Sequence, residues 1–340
     1  ETMERIQNPH FMTGLQLADI PMPSTDSARP TAMLKNCPAH APTPLVNADA
    51  LAQDLNIASC YVKDERNRMN LGSFKALGAA YVIASDAAER DVSKITYVSS
   101  SAGNHGLSIA AGAAAFGASA VIYLSATVPE DFAKRLRDIG ATVVRHGDNY
   151  EASMEGAIAA AADNGWVLLS DSSWEGYTDI PWRLMEGYTA MGAEIIAEIE
   201  TVPTHIFLQA GVGGLAGAMA ACFRAAWGEA PEIVVVEPAF APAIIDSIRA
   251  GKFVTTQGPV SDMGRLDCKE ASLIALNGLS RDANTFVTLT EDECLTAIAQ
   301  LPAHDLATSS SGGAGIAAAM LSNLPSDARV LCILSEGPDA

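Results

Sequence analysis

The strongest constraint on the fold is a regular alternation of short β-branched runs with helix-length segments. Ile95-Thr96-Tyr97-Val98, Ala120-Val121-Ile122-Tyr123-Leu124, Thr142-Val143-Val144 and Trp166-Val167-Leu168-Leu169 read as strands. So do His205-Ile206-Phe207-Leu208, Ile233-Val234-Val235-Val236, Thr285-Phe286-Val287 and Val330-Leu331-Cys332-Ile333-Leu334. Between and beside them the sequence predicts helices over 104–116, 129–139, 150–162, 180–198, 215–227, 291–300 and 315–321. Apolar runs without alternation are buried on both faces, which is the habit of parallel strands, and the crossover helices that join them return right-handed. The expected fold class is therefore α/β, with two three-layer α/β/α domains and mostly parallel sheets. The stretch 251–280 carries the weakest pattern and reads as loop-rich.

At 340 residues and 49% hydrophobic content the chain is long enough for one large domain or two linked ones. No apolar run approaches the roughly 20 residues of a membrane span. The opening residues Glu1-Thr2-Met3-Glu4-Arg5 lack a basic segment followed by an apolar core, so no secretory signal is expected. Six cysteines are scattered at 37, 60, 222, 268, 294 and 332 without a CxxC, which points to a reduced, cytoplasmic setting and against a structural metal. The formal net charge of −19 argues against nucleic acid or an anionic membrane as a partner. An anionic cofactor would have to be held by local backbone dipoles.

Ligands of open α/β sheets gather beyond the carboxyl ends of the strands. Lys75 stands in Gly72-Ser73-Phe74-Lys75, a turn that opens the Ala-rich helical stretch Ala76-Leu77-Gly78-Ala79-Ala80-Tyr81. A lysine there either snorkels to water or sits in a dry pocket. In the pocket, desolvation lowers its pKa and leaves an amine that attacks an aldehyde. Four strand-to-helix handovers carry unusual residues. Ser99-Ser100-Ser101-Ala102-Gly103-Asn104-His105-Gly106 leaves backbone N–H groups open to a carboxylate, or is a plain helix cap. Gln209-Ala210-Gly211-Val212-Gly213-Gly214-Leu215 lets backbone wrap a phosphate. Asp171-Ser172-Ser173-Trp174-Glu175-Gly176-Tyr177-Thr178 offers an acid beside hydroxyls and aromatics, and Leu334-Ser335-Glu336-Gly337 ends the last strand. The second loop also admits a rival. Gly211-x-Gly213-x-x-Ala216, with Glu237 ending the next strand, is a fair fingerprint of an NAD-dependent dehydrogenase. That reading leaves Lys75 and the Asn104 loop unexplained, and such fingerprints usually open their domain.

Taken together, these residues resemble the fold-type II pyridoxal-phosphate enzymes, which include serine and threonine dehydratases and the tryptophan synthase β-subunit. Within that group the chain is most similar to diaminopropionate ammonia-lyase. The distinctive matches are Lys63-Asp64-Glu65, Ser73-Phe74-Lys75-Ala76-Leu77-Gly78, Asp148-Asn149-Tyr150 and the block from Asp171 to Pro181. Pro203 to Gly213 and Ser335-Glu336-Gly337 complete them, in order from about residue 40 to the C-terminus.

The resemblance implies pyridoxal 5'-phosphate as cofactor, bound between the domains, and α,β-elimination on a small β-substituted L-amino acid. Diaminopropionate leads as substrate. Serine, threonine or 3-hydroxyaspartate dehydration and β-replacement are the alternatives. Lys75 would carry the Schiff base, with Phe74 beside it, and Asn104 would face the cofactor's 3-hydroxyl oxygen. The backbone of Gly211, Val212, Gly213, Gly214 and Leu215 would cradle the phosphate, and Ser335 would face the ring nitrogen. Asp171 would be the base for the L-isomer. Ser101, Ala102, His105, Tyr177 and Arg265 are the expected substrate contacts. A homodimer is expected, with a large domain of 1–75 and 190–340 and an inserted small domain of 76–189. Three departures stand out. Ala102 replaces the family's aspartate, its base for the D-isomer. Arg265 and Asp267 stand where small residues are usual, and Ser310 where a glutamate is. Arg265 reads either as a loop arginine or as a guanidinium for a second substrate carboxylate.

Overall fold

A computed structural model describes residues 3–101 and 103–338. Its strands in chain order are β1 (Glu4–Gln7), β2 (Leu45–Asn47), β3 (Ser59–Asp64), β4 (Thr96–Ser101), β5 (Ser119–Leu124) and β6 (Thr142–Arg145). There follow β7 (Val167–Leu168), β8 (His205–Gln209), β9 (Glu232–Pro238), β10 (Thr285–Leu289) and β11 (Arg329–Leu334). The helices are α1 (Ala28–Leu34), α2 (Asp49–Asp54), α3 (Ala79–Glu89), α4 (Asn104–Phe116), α5 (Glu130–Asp138) and α6 (Tyr150–Asn164). The rest are α7 (Asp179–Glu198), α8 (Gly214–Trp227), α9 (Ala243–Ala250), α10 (Leu273–Asp282), α11 (Glu291–Ile298) and α12 (Ala314–Leu321).

The strands form two sheets. One has the order β1-β10-β9-β8-β11-β3-β2 and the other β6-β5-β4-β7. The smaller sheet is parallel throughout. In the larger, only the edge strands β1 and β2 pair antiparallel. The α/β class with mostly parallel sheets therefore holds. Side chains along β8 separate by period two, as a doubly covered strand requires. Ile206 and Leu208 join a core that also takes in Leu331, Ile333 and, from the smaller sheet, Tyr97, Ile122 and Leu124. Phe207 turns to the opposite face, with Val62, Val234 and Cys332 under α12.

Local chemistry fixes several helix ends. The Asn149 side chain accepts the Ala152 N–H at 2.8 Å and starts α6, and Thr290 with Glu293 forms a reciprocal cap on α11. The expected bounds of the central elements agree with the structure to within about three residues, and 251–280 is loop-rich as expected up to residue 272 but ends in a helix. It contains most of α10, whose sequence Leu-Ile-Ala-Leu-Asn-Gly-Leu-Ser-Arg-Asp includes weak helix formers, so tertiary packing decides its conformation. Residue 190 falls inside α7, a single 20-residue helix.

That helix bears directly on the Lys75 turn. Gly187 of α7 lies so close to it that a β-carbon would stand 2.3 Å from the Leu77 carbonyl oxygen and 3.1 Å from Tyr81 Cβ. Backbone cannot yield as a side-chain tip does. Gly187→Ala is therefore expected to destabilise the fold by about 1–3 kcal/mol, the usual cost of overpacking. Thermal unfolding tests this, and an unchanged Tm would mean that the turn is not wedged against α7.

Candidate active site

Lys75 lies where the large sheet ends. Ser73 bridges antiparallel to Glu336, just past β11, the Phe74 N–H donates to the Ser335 carbonyl at 3.0 Å, and the Gly337 N–H to the Gly72 carbonyl at 3.1 Å. These bonds bring the lysine turn and the end of β11 together, so Lys75 and Ser335 line one cavity. A 3₁₀ turn, Phe74–Leu77, carries Lys75, and the Ser73 hydroxyl accepts the Lys75 N–H at 3.1 Å. Phe74 packs edge-on against Tyr188 at 5.0 Å between centroids.

Asp171 reaches the same cavity from the other sheet. It follows β7, whose continuation is held by the Leu169 N–H on the Val98 carbonyl at 2.9 Å. Lys75 Nζ donates to Asp171 Oδ2 at 2.9 Å, and the Tyr150 hydroxyl donates to Oδ1 at 3.0 Å. Burial works to lower the pKa of the Lys75 ammonium, but the adjacent carboxylate more than offsets it and the net shift is upward. Burial likewise pushes the Asp171 carboxyl up, and the Lys75 charge turns the net shift downward. The sequence expectation of a lysine with a lowered pKa is thus reversed here, because desolvation was counted without its partner. Burial, reinforced by Asp171, raises the Tyr150 phenol well above its ordinary value, so it remains a donor.

The glycine loop runs from β8 into α8. Gly213 has φ +102°, a left-handed conformation that suits glycine, and a β-carbon there would meet Ala275 Cβ at 2.9 Å. A β-carbon on Gly211 would come within 2.8 Å of the Arg265 carbonyl oxygen. The N–H groups of Gly214, Leu215 and Ala216 open α8 and have no acceptor inside it, so they suit an anion. The start of α10 ties this loop to the Asp171 segment. The Ser272 N–H donates to the Val212 carbonyl at 2.9 Å, the Ser173 and Ser272 hydroxyls meet at 2.6 Å, and the Ile274 N–H donates to Ser173 Oγ at 2.9 Å.

One cavity is lined by Phe74, Lys75, Asn104, Asp171, Gly211–Leu215, Arg265 and Ser335. It adjoins a larger one through Lys75, Asp171, Val212 and Arg265. In the first, Gln209 Nε2 donates to Ser335 Oγ at 3.0 Å. Asn104 Nδ2 donates to Glu336, which also accepts Ser309 Oγ at 2.6 Å and Arg265 Nε at 3.2 Å. Asn104 Oδ1 and Gln209 Oε1 are buried without a hydrogen-bond partner.

Most expected residues meet here, but two do not. The Tyr177 hydroxyl donates to the Leu168 carbonyl at 2.6 Å and accepts the Ser170 N–H at 3.0 Å, and its ring stacks on Trp174. It pins the turn and does not line either cavity. His105 is buried with Nε2 on the Leu169 carbonyl at 2.8 Å, and burial lowers its pKa. Ser101 lines the larger cavity, although its hydroxyl is engaged by the Gly103 and Gly106 N–H groups. Ala102 lies outside the described residues. Arg265 is committed to Glu336 and lies 5.6 Å from the Phe132 ring centroid, which removes the loop-surface reading. Tyr150, Gln209 and Glu336 are not among the expected site residues, although all three stand inside the matching motifs. The dehydrogenase reading fails on Glu237. Its carboxyl, pushed up to about 8 by burial, accepts the Ile244 and Ile245 N–H groups at 2.8 Å and caps α9, so it does not face a ribose.

Two mostly parallel sheets whose carboxyl ends converge on a largely buried lysine, beside a glycine loop at a helix start, define an enzyme that anchors a phosphorylated aldehyde cofactor. The profile of the pyridoxal-phosphate dependent enzyme family matches residues 37–336, and the chain belongs to that family. It is similar to the diaminopropionate ammonia-lyase of Salmonella typhimurium, at 33% identity over 291 residues, 77% of this chain and 72% of that one. A crystal structure of the Escherichia coli diaminopropionate ammonia lyase in complex with D-serine superposes with a TM-score of 0.90 at 25% identity, covering 99% of this chain and 94% of that one. Another, in complex with an aminoacrylate-PLP azomethine reaction intermediate, gives 0.89 at the same identity and coverage. The cofactor is pyridoxal 5'-phosphate, and the residues present fit it. The open N–H groups suit its phosphate, Lys75 its aldehyde, and the unpartnered Asn104 Oδ1 its polar ring substituents.

The ion pair makes a pH prediction. With Asp171→Asn the carboxylate that raises the Lys75 pKa is gone and burial, which lowers it, remains. Covalent capture of pyridoxal phosphate by the cofactor-free protein, followed by absorbance, should then have its pH midpoint at lower pH than in wild type. An unmoved midpoint would show that Asp171 does not control the amine.

Proposed function

We propose that the chain catalyses α,β-elimination of L-2,3-diaminopropionate, giving a 2-oxo acid and ammonia. The observation that carries the chemistry is the Lys75–Asp171 pair at 2.9 Å beside the glycine loop. The substrate is taken from the likeness to the ammonia-lyases. When bound, pyridoxal phosphate supplies an aldehyde that condenses with amines and a ring that accepts electron density from Cα. The glycine loop would hold the phosphate, with Lys75 as the covalent anchor. Ser335, whose oxygen accepts from Gln209, keeps its own proton to offer a ring nitrogen. A neutral hydroxyl there leaves that nitrogen unprotonated and favours elimination over transamination.

Asp171 is the proposed base for the Cα proton. Paired with the Lys75 ammonium its carboxyl is too acidic for that task. Once Lys75 loses its positive charge, burial is left to raise the pKa of Asp171 toward a useful range. Tyr150 holds the other carboxylate oxygen and so fixes which lone pair faces the substrate.

Three finer readings accompany this. A large domain of 1–75 and 190–340 with an inserted domain of 76–189 is supported by the two separate sheets. A reducing, cytoplasmic setting is supported by six cysteines that are all free. Among the described residues no helix is long and apolar enough to cross a membrane. A homodimer is supported by a groove between α1, α3 and α4 whose lining, including Met33, Leu34, Ala84, Ala88 and Phe116, contains no charged residue.

Elimination of diaminopropionate followed by hydrolysis releases two ammonia molecules per 2-oxo acid, whereas serine releases one. The purified holoenzyme should therefore give a ratio of two with L-2,3-diaminopropionate, and no release from that compound would end the substrate assignment. Asp171→Asn should cost roughly 10²–10⁴-fold in turnover, as for a lost general base. Since residue 102 is an alanine, rates on the L-isomer should greatly exceed those on the D-isomer. Comparable rates would require a second base.

A further inference from the structure

The outer cavity carries a charge pattern that the reaction's core residues do not explain. Its cations are all neutralised. Lys75 pairs with Asp171 at 2.9 Å and Arg265 with Glu336 at 3.2 Å. Lys269 pairs with Asp267 at 2.7 Å and also donates to the Phe240 and Pro259 carbonyls. Glu151 remains. It stands in the first turn of α6 next to Tyr150, which holds Asp171, and it lines the same cavity as Lys75 and Asp171. Its carboxylate accepts the Lys269 backbone N–H at 2.9 Å through Oε1, and among the described residues no ammonium or guanidinium pairs with it. Cys268 lies close enough to both carboxylates that, after burial, Glu151 and then Asp171 raise its thiol pKa. Besides the exposed Asp262, the lining of this cavity therefore presents one half-buried negative charge, that of Glu151, without an ion-pair partner among the described residues.

From this we infer that Glu151 is a specificity-determining residue, whose free carboxylate oxygen receives the second ammonium of a diamino acid and disfavours a second carboxylate. The inference rests on the elimination proposed above and decides between its candidate substrates. With Arg265 neutralised by Glu336 and Glu151 unpaired, the cavity suits a cationic side chain better than the dicarboxylic 3-hydroxyaspartate. Of the acid and its amide, only the carboxylate sets an opposite charge against that ammonium as well as accepting its hydrogen bond.

The test is the ratio of kcat/KM for L-2,3-diaminopropionate to that for L-serine, measured on the holoenzyme with Glu151→Gln and Glu151→Asp. Glutamine keeps an oxygen for the Lys269 N–H and removes only the charge. The ratio is expected to fall roughly tenfold or more with glutamine, the size of one charge-assisted bond, mostly through KM for the diamino acid. Aspartate should restore most of it. An unchanged ratio in Glu151→Gln would overturn the inference while leaving the elimination intact. If wild type released no ammonia from diaminopropionate, the substrate assignment would fall. Glu151 would then be judged by calorimetric titration of the same amino acid, which should bind wild type about tenfold more tightly than Glu151→Gln. Equal binding would overturn the inference there too.

Discussion

A buried ammonium and a buried carboxylate, 2.9 Å apart and contributed by different sheets, are the interaction on which the site depends. Either charge alone would be costly in that environment, because burial without a partner forfeits hydration that nothing replaces. Together they are tolerated. The pair holds the turn after β3 against the segment after β7. It also keeps both groups in the wrong protonation state for chemistry, with the amine charged and the carboxyl too acidic to be a good base. Consuming the amine charge changes both at once. On the proposed mechanism, attachment of the cofactor at Lys75 would also free Asp171 to act as a base.

The frame around the pair is stiff for reasons that lie in small residues. The 3₁₀ turn of Lys75 is hydrogen-bonded to the end of β11 and wedged against Gly187 of α7. On the opposite side α10 joins the glycine loop to the Asp171 turn through Ser173 and Ser272. An anion can be held in a chain of net charge −19 because the start of α8 offers backbone dipoles rather than side-chain charge.

Much of this was legible in the sequence, and the failures have physical causes. Buried strands such as Ile233–Val236 announce themselves by composition, and Lys75 and the Gly211–Leu215 loop by their position at strand ends. By contrast α10, in which Asn277, Gly278, Ser280 and Asp282 interrupt stronger helix formers, is helical because of what it packs against. Tyr177 and His105 sit among site residues in the chain, but the Tyr177 hydroxyl is spent on the Leu168 carbonyl and His105 Nε2 on the Leu169 carbonyl, with His105 Nδ1 buried and unpartnered. Adjacency in sequence could not distinguish pinning a turn from facing a substrate. Arg265 was weighed without its partner, since Glu336 lies 71 residues away. The upward shift of Lys75 is invisible to the sequence for the same reason, because burial is readable from composition whereas a carboxylate from another sheet is not.

The central claim is that Lys75 alone anchors the cofactor, and chemical trapping tests it most directly. The purified holoenzyme should be yellow, and borohydride should bleach it and fix the cofactor irreversibly to its lysine. Peptide mapping should then find the phosphopyridoxyl group on Lys75 and on no other lysine. Modification at Lys63 or Lys269, or no stable modification at all, would contradict the site.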